Sequence, residues 1–107
     1  MKNIVLATSL LIAGHSYATD VEVIGKITHI NNWESIPGTL ITIENKDKTS
    51  GYCSRNDQYI LPTNHPFYQQ NFSMLLASQM AGKSIGLRMK RDGCVNGFPR
   101  IYHVKTR

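Results

Sequence analysis

Between Pro66 and Gly82 the sequence has no Lys, Arg, Asp or Glu. A helix over this stretch offers only Gln, Asn and Ser as polar groups, which is unusual for a face turned to water. There is one tryptophan, and there are two cysteines. The cysteines form no CxxC pair, and no third Cys or suitably spaced His completes a zinc site, so redox and structural-metal roles lack their residue sets. No serine lies in a nucleophile motif, and no two acids share a recognisable catalytic spacing. His29, His65 and His103 are dispersed, and they make a metal site only if the fold gathers them. These absences argue against an enzyme; no catalytic residue, metal or cofactor is expected. Linkers, repeats and low-complexity segments are also missing, as in a single domain.

What is present begins with a leader. Met1-Lys2-Asn3 is a short basic start, Ile4 to Ala13 is apolar apart from Thr8 and Ser9, and Ser16-Tyr17-Ala18 ends on small residues. This is the pattern of a secretory signal peptide cleaved after Ala18. The apolar run is too short to span a bilayer. No cysteine follows the cleavage point to carry a lipid. Removing eighteen residues from 107 leaves a domain of 89, Thr19–Arg107, secreted or periplasmic. In an oxidising compartment two thiols pair, so a Cys53–Cys94 disulfide is expected. Closing a loop of that size restricts the unfolded chain by roughly 4 kcal/mol on the entropy model. Such help matters where the core is small.

Loss of Lys2 with the leader lowers the formal charge from +5 to +4. Six basic residues fall after position 87: Arg88, Lys90, Arg91, Arg100, Lys105 and Arg107. A basic end suits an anionic partner such as an acidic glycan, lipopolysaccharide or an acidic protein. It equally suits a solvated strand face, since Arg88 and Lys90 alternate with Ile85, Leu87 and Met89. Nucleic acid is not expected outside the cell.

In chain order, Val21–Ile30 reads as a first strand, with Gly25 marking a bulge or bend. Asn31–Gly38 is a loop and Thr39–Glu44 a second strand. Asn45-Lys46-Asp47-Lys48 is a hairpin turn leading to a third strand, Thr49–Ser54. Gln58–Leu61 is a short extra strand. Thr63 or Asn64 is placed to cap a helix over Phe67–Met80, which Ala81-Gly82-Lys83 ends. Ser84–Arg91 is a strand, Asp92-Gly93-Cys94 a turn, and Arg100–Lys105 the last strand. The predicted class is mainly β with one α-helix: a small OB-fold-like barrel of five strands, the helix between strands 3 and 4. An isolated helix on an antiparallel sheet is the alternative.

At 100° per residue, Tyr68, Phe72, Leu75 and Leu76 share one helix face, with Met80 at its edge; this face is expected to cover the sheet. Phe67, Met74 and Ala81 are spaced by seven and form a second stripe almost opposite, with Ala77 beside it. That stripe is expected to meet other copies of the chain in a homo-oligomer.

Asn71-Phe72-Ser73-Met74-Leu75-Leu76-Ala77-Ser78-Gln79-Met80-Ala81-Gly82 resembles the helix and glycine stop of the Shiga toxin B subunit family. The strand Ser84–Lys90 follows in the same place. Gly93-Cys94-Val95-Asn96-Gly97-Phe98 is similar to the turn before that family's last strand. Gly25-Lys26-Ile27 and Thr39-Leu40-Ile41-Thr42-Ile43 look like its early strands. The resemblance implies an OB-fold, a ring of five with helices lining a pore, and binding to glycans of cell-surface glycolipids. It departs in two places. The family's first cysteine lies near the mature N-terminus, whereas here the partner is Cys53. Its acidic sugar-binding loop is replaced by Trp33-Glu34-Ser35-Ile36-Pro37-Gly38, so only Gly97 and Phe98 match glycan-contacting positions well.

Trp33, in a loop with Asn32 and Glu34, offers an aromatic platform beside an amide and a carboxylate, which suits a sugar; it equally suits a lid on the barrel. Asn96, Gly97 and Phe98 form a second candidate surface, and Arg100 nearby is a candidate for a sugar carboxylate. Two functions follow. One is an exported, pentameric, glycan-binding module like a toxin B subunit, which would carry an enzymatic A chain. The other is a monomeric periplasmic OB-fold protein that binds or inhibits another protein.

Overall fold

The computed structural model describes residues 20–107. The leader expected over residues 1–18 lies outside the described residues. Among those described, five strands and one α-helix occur: β1 Asp20–Asn32, β2 Gly38–Ile43, β3 Tyr59–Pro62, α1 Tyr68–Ala81, β4 Ser84–Val95 and β5 Phe98–Thr106. The strands close into a barrel in the order β1-β2-β3-β5-β4. The helix lies between β3 and β4 in sequence, so the OB-type architecture read from the chain is the one observed.

β1 makes closure possible. Its first half, Asp20 to Lys26, pairs with β4, and its second half, from Ile27 to Asn32, pairs with β2. The changeover follows Gly25, while the irregular register falls between Ile27 and His29. Inward side chains fill the barrel: Val23, Ile27, Ile41, Ile43, Tyr59, Leu61, Ile85, Leu87, Met89, Ile101 and Val104, with Leu75 of α1 packed among them. Leu40, Ile60 and Phe98 form a separate cluster with Ile36 and Val95 against it. Alternation explains the split: Leu40 and Ile60 precede the inward Ile41 and Leu61, so they occupy the barrel's outer surface. The seam between β3 and β5 is parallel and carries one registered pair, Ile60 with Arg100.

The expected third strand, Thr49–Ser54, is not a strand. A 3-10 turn spans Asp47–Thr49, and the expected short extra strand supplies β3 instead. Thr49 satisfies itself locally, its hydroxyl reaching the Lys46 carbonyl at 3.1 Å and the Tyr59 hydroxyl at 2.9 Å. A β-branched residue with local hydrogen bonds gains nothing further from a ladder.

The final hairpin also differs. β4 continues through Asp92-Gly93-Cys94 to Val95, and the turn is Asn96-Gly97, both with positive φ, at 52° and 84°. Two consecutive left-handed residues match the twist of the strands they join. The segment expected to turn is a bulge. The register passes from Met89 opposite Ile101 to Cys94 opposite Pro99, so Lys90 to Gly93 all face the single residue Arg100. Cys94 bonds to Cys53, as expected.

The helix starts at Tyr68 with neither Thr63 nor Asn64 as its cap. His65 takes that part: its Nδ1 accepts the Phe67 N–H at 3.0 Å and its Nε2 donates to the Tyr102 carbonyl at 2.9 Å. Gly82 ends the helix in the left-handed conformation, returning its N–H to the Gln79 carbonyl. The inner face is rotated from the one expected. Asn71, Leu75 and Ser78 are buried, and Tyr68, Phe72 and Met74 pack partly against the core. Leu76 and Met80 turn outward, 39% and 80% exposed. Small residues explain the rotation, since Asn71 and Ser78 let the helix approach the barrel closely. Gln79 reaches β1 and donates to the Thr28 carbonyl at 3.3 Å.

Candidate functional site

Trp33 and Phe98, 65 positions apart in the sequence, line one cleft of about 190 Å³. Ser35, Ile36, Leu40, Arg55 and Gln58 complete its walls. The cleft lies on the barrel's outer surface, over the Leu40–Ile60–Phe98 cluster. The β1–β2 loop is folded back on itself, with the Ile36 N–H bonded to the Trp33 carbonyl at 3.1 Å and the Gly38 N–H to the Ile36 carbonyl at 2.9 Å. This fold turns Ile36 inward onto Leu40 and leaves the Trp33 ring 60% exposed. Trp33 is therefore a wall with a free face, not a lid on the core.

Phe98 forms the floor, and the Arg55 guanidinium carbon stands 4.6 Å above its ring centre. Three hydrogen bonds hold Arg55 there. Its backbone N–H donates to the Gly97 carbonyl at 2.9 Å, and its side chain makes two hydrogen bonds to the Asp57 carboxylate, at 3.2 and 2.8 Å. Arg55, hydrogen-bonded to Asp57, holds that carboxyl below the ordinary carboxylate value. At neutral pH the pair is balanced in charge. The cleft thus offers the exposed face of Trp33, a Phe98 floor almost wholly covered beneath the Arg55 guanidinium, that guanidinium neutralised by Asp57 behind it, and the Gln58 amide, whose Nε2 donates to Thr42 Oγ1 at 3.3 Å. Such a set suits a ring with apolar faces and hydroxyl edges.

Of the residues singled out from the sequence, Trp33 and Phe98 meet in the cleft. Gly97 borders it through its bond to Arg55. Asn32 does not line it: its Oδ1 accepts from Thr39 Oγ1 at 2.7 Å, and Thr39 Oγ1 lies 2.7 Å from the Tyr68 hydroxyl. Glu34 and Asn96 are exposed outside it. Arg100 lies further along β5, stacked over Tyr102 at 4.4 Å. Arg55 and Gln58 had no motif to mark them; only the folding back of the 47–58 loop brings them to Phe98.

Three of the four residues expected at an oligomer contact, Met74, Ala77 and Ala81, line a mostly apolar depression of about 340 Å³ between the helix and the end of β5. Phe67, the fourth, is 60% exposed and borders a different hollow with His65, Asn71, Tyr102 and His103. That hollow gathers two of the three dispersed histidines. Both nitrogens of His65 are already engaged, and no group of three metal-ligating residues is found among the described residues.

Fold and cleft together define a small disulfide-linked barrel of OB type with an aromatic recess on its outer wall. No protein-family model, curated protein or solved structure matches the chain.

Proposed function

We propose that the protein is an exported, oligomeric glycan-binding module of the toxin B-subunit kind, and that its sugar sits in the Trp33–Phe98 cleft. The observation that carries this reading is the meeting of the exposed Trp33 with Phe98 around a cleft whose one charged wall residue, Arg55, is neutralised by its pairing with Asp57. A pyranose stacks its C–H face on the free face of Trp33 while its hydroxyls bond the guanidinium and amide edges. Charge balance favours a neutral ring in the recess. The disulfide agrees with export, and the resemblance in the helix and final hairpin supplies the pentamer and a companion A chain. The apolar depression beside Met74 and the outward Leu76 and Met80 support contacts between copies.

A glycan array tests the site. Wild type is expected to bind a defined set of glycans that each present a neutral ring to the cleft, and Trp33→Ala to lose about tenfold or more of that binding. Unchanged binding by Trp33→Ala would remove the cleft from the proposal. Native mass spectrometry tests the assembly, with a mass five times that of the mature chain expected. A monomer would instead favour the periplasmic protein-binding alternative, with the outward face of α1 as the contact.

A further inference from the structure

Beside the cleft, the β4 bulge crowds positive charge onto one aromatic ring. The Lys90 ammonium stands 4.7 Å from the centre of the Tyr102 ring and the Arg100 guanidinium 4.4 Å. Together these distances put the two charges no more than about 9 Å apart, within one Debye length of about 10 Å at 0.1 M salt. Arg91, the next residue of the bulge, stands 4.7 Å over Tyr52.

The neighbouring cations are differently placed. Glu22 lies between Arg88 and Lys105, at 3.5 and 3.4 Å. Among the described residues, Lys90, Arg91 and Arg100 have no carboxylate within ion-pair distance. Asp20, opposite Lys90 across the β1–β4 ladder, and Asp92 in the bulge are exposed and make no ion pair. Lys90 and Arg100 are therefore held near each other by the Tyr102 ring and not by a salt bridge, which leaves their charges available to a bound anion.

The bulge is also braced. Cys94 at its end is disulfide-bonded to Cys53. A Cβ on Gly93 would fall 2.6 Å from the Tyr102 hydroxyl, so the bulge backbone rests directly on that side chain. Bulges commonly re-aim side chains at functional surfaces.

Position decides the partner. Phe98, Arg100 and Tyr102 are alternate residues of one strand, so they share the outer face of β5 at intervals of roughly 7 Å. A linear chain that starts in the cleft on Phe98 passes Arg100 next and then the Lys90–Tyr102 pair. We infer that Lys90 and Arg100, gathered on Tyr102, form an anion-binding subsite continuous with the cleft, and that the glycan is acidic, with a sulfate or carboxylate on the unit beyond the neutral ring. This rests on the glycan reading for the cleft, but the anion contact has its own residues and its own readout.

Titration calorimetry of the full chain with a hyaluronan hexasaccharide, in which neutral N-acetylglucosamine units alternate with carboxylate-bearing ones, at 50 and 300 mM salt tests the subsite. Wild type is expected to bind at low salt and weaken steeply at high salt. Lys90→Gln with Arg100→Gln is expected to lower affinity about tenfold or more and to flatten the salt dependence. The control pair Lys26→Gln with Lys48→Gln removes the same charge elsewhere and is expected to stay within about twofold. Tyr102→Leu keeps both charges and is expected to lose several-fold through misplacement. Equal losses for the two charge pairs would make the effect general attraction and overturn the subsite. Absence of hexasaccharide binding overturns it too, including the case where phosphatidylglycerol vesicles bind instead. Trp33→Ala separates the claims. If only that variant loses affinity, the subsite falls and the cleft stands; if only the Lys90–Arg100 variant does, the subsite stands and the cleft reading falls.

Discussion

Single residues carry constraints that composition does not reveal. A Cβ on Gly38 would stand 2.6 Å from the Leu61 carbonyl and 2.9 Å from Pro62 Cα, both backbone atoms of the neighbouring strand. Gly38→Ala must push β2 from β3, and a loss of about 1–3 kcal/mol is expected in urea denaturation. Tyr59 sits wholly inside the barrel, and burial pushes its phenol above the ordinary value, opposed by the Thr49 hydrogen bond. The native state holds that proton more tightly than the unfolded chain. Its contribution is therefore complete below the unfolded phenol value of about 10 and is lost as pH rises through the folded one. Denaturation curves from neutral pH to about pH 11 should show this alkaline loss in wild type and less of it in Tyr59→Phe. Trp33 was legible at this scale because an aromatic residue in a loop has little core to enter; Phe98, read on the same ground, instead begins β5 and is buried with Leu40 and Ile60, reaching the cleft only as its floor. Arg55 was not legible, because an exposed Arg near an Asp looks like any surface pair until its ring partner is known.

At the scale of elements, local pattern located the helix and its glycine stop but misjudged the direction the helix faces. Leu76 shares an arc with Leu75, and an apolar count cannot tell which side the barrel takes. The small polar Asn71 and Ser78 decide it by permitting close approach. Leu75→Ala is accordingly expected to cost about 2–5 kcal/mol. Leu76→Lys with Met80→Lys should leave the monomer's stability within about 0.5 kcal/mol for each site, while lowering any oligomer mass seen in native spectra. The helix start was missed because no Ser, Thr, Asn or Asp performs the capping. A histidine two residues upstream accepts the Phe67 N–H and ties the entry to β5 through Tyr102. His65→Ala is expected to cost about 1–2 kcal/mol, with faster amide exchange in the first turn. The last hairpin was misplaced because Asp92-Gly93 and Asn96-Gly97 are both turn signals, four positions apart. The hairpin pairs Val95–Phe98 and Cys94–Pro99 close on the second.

For the whole molecule, the order of strands around a helix was enough to name the class. It located β3 as a short extra strand at Gln58–Leu61 but counted Thr49–Ser54 as the third strand, where local hydrogen bonds of Thr49 hold a 3-10 turn instead. The disulfide links the 47–58 loop to the β4 bulge, two irregular segments, and so secures both candidate surfaces at once. Replacing Cys53 and Cys94 by Ser is expected to lower stability by roughly 4 kcal/mol on the chain-entropy model. The seam that shuts the barrel is narrow: Ile60 and Arg100 are its only registered pair, and each stands next to one of the two proposed contact regions. Anything lodged across Phe98 and Arg100 becomes a buckle over that join. Occupancy should then be readable as a higher melting temperature and slower deuterium uptake at Ile60, even for a guest that shifts no part of the backbone.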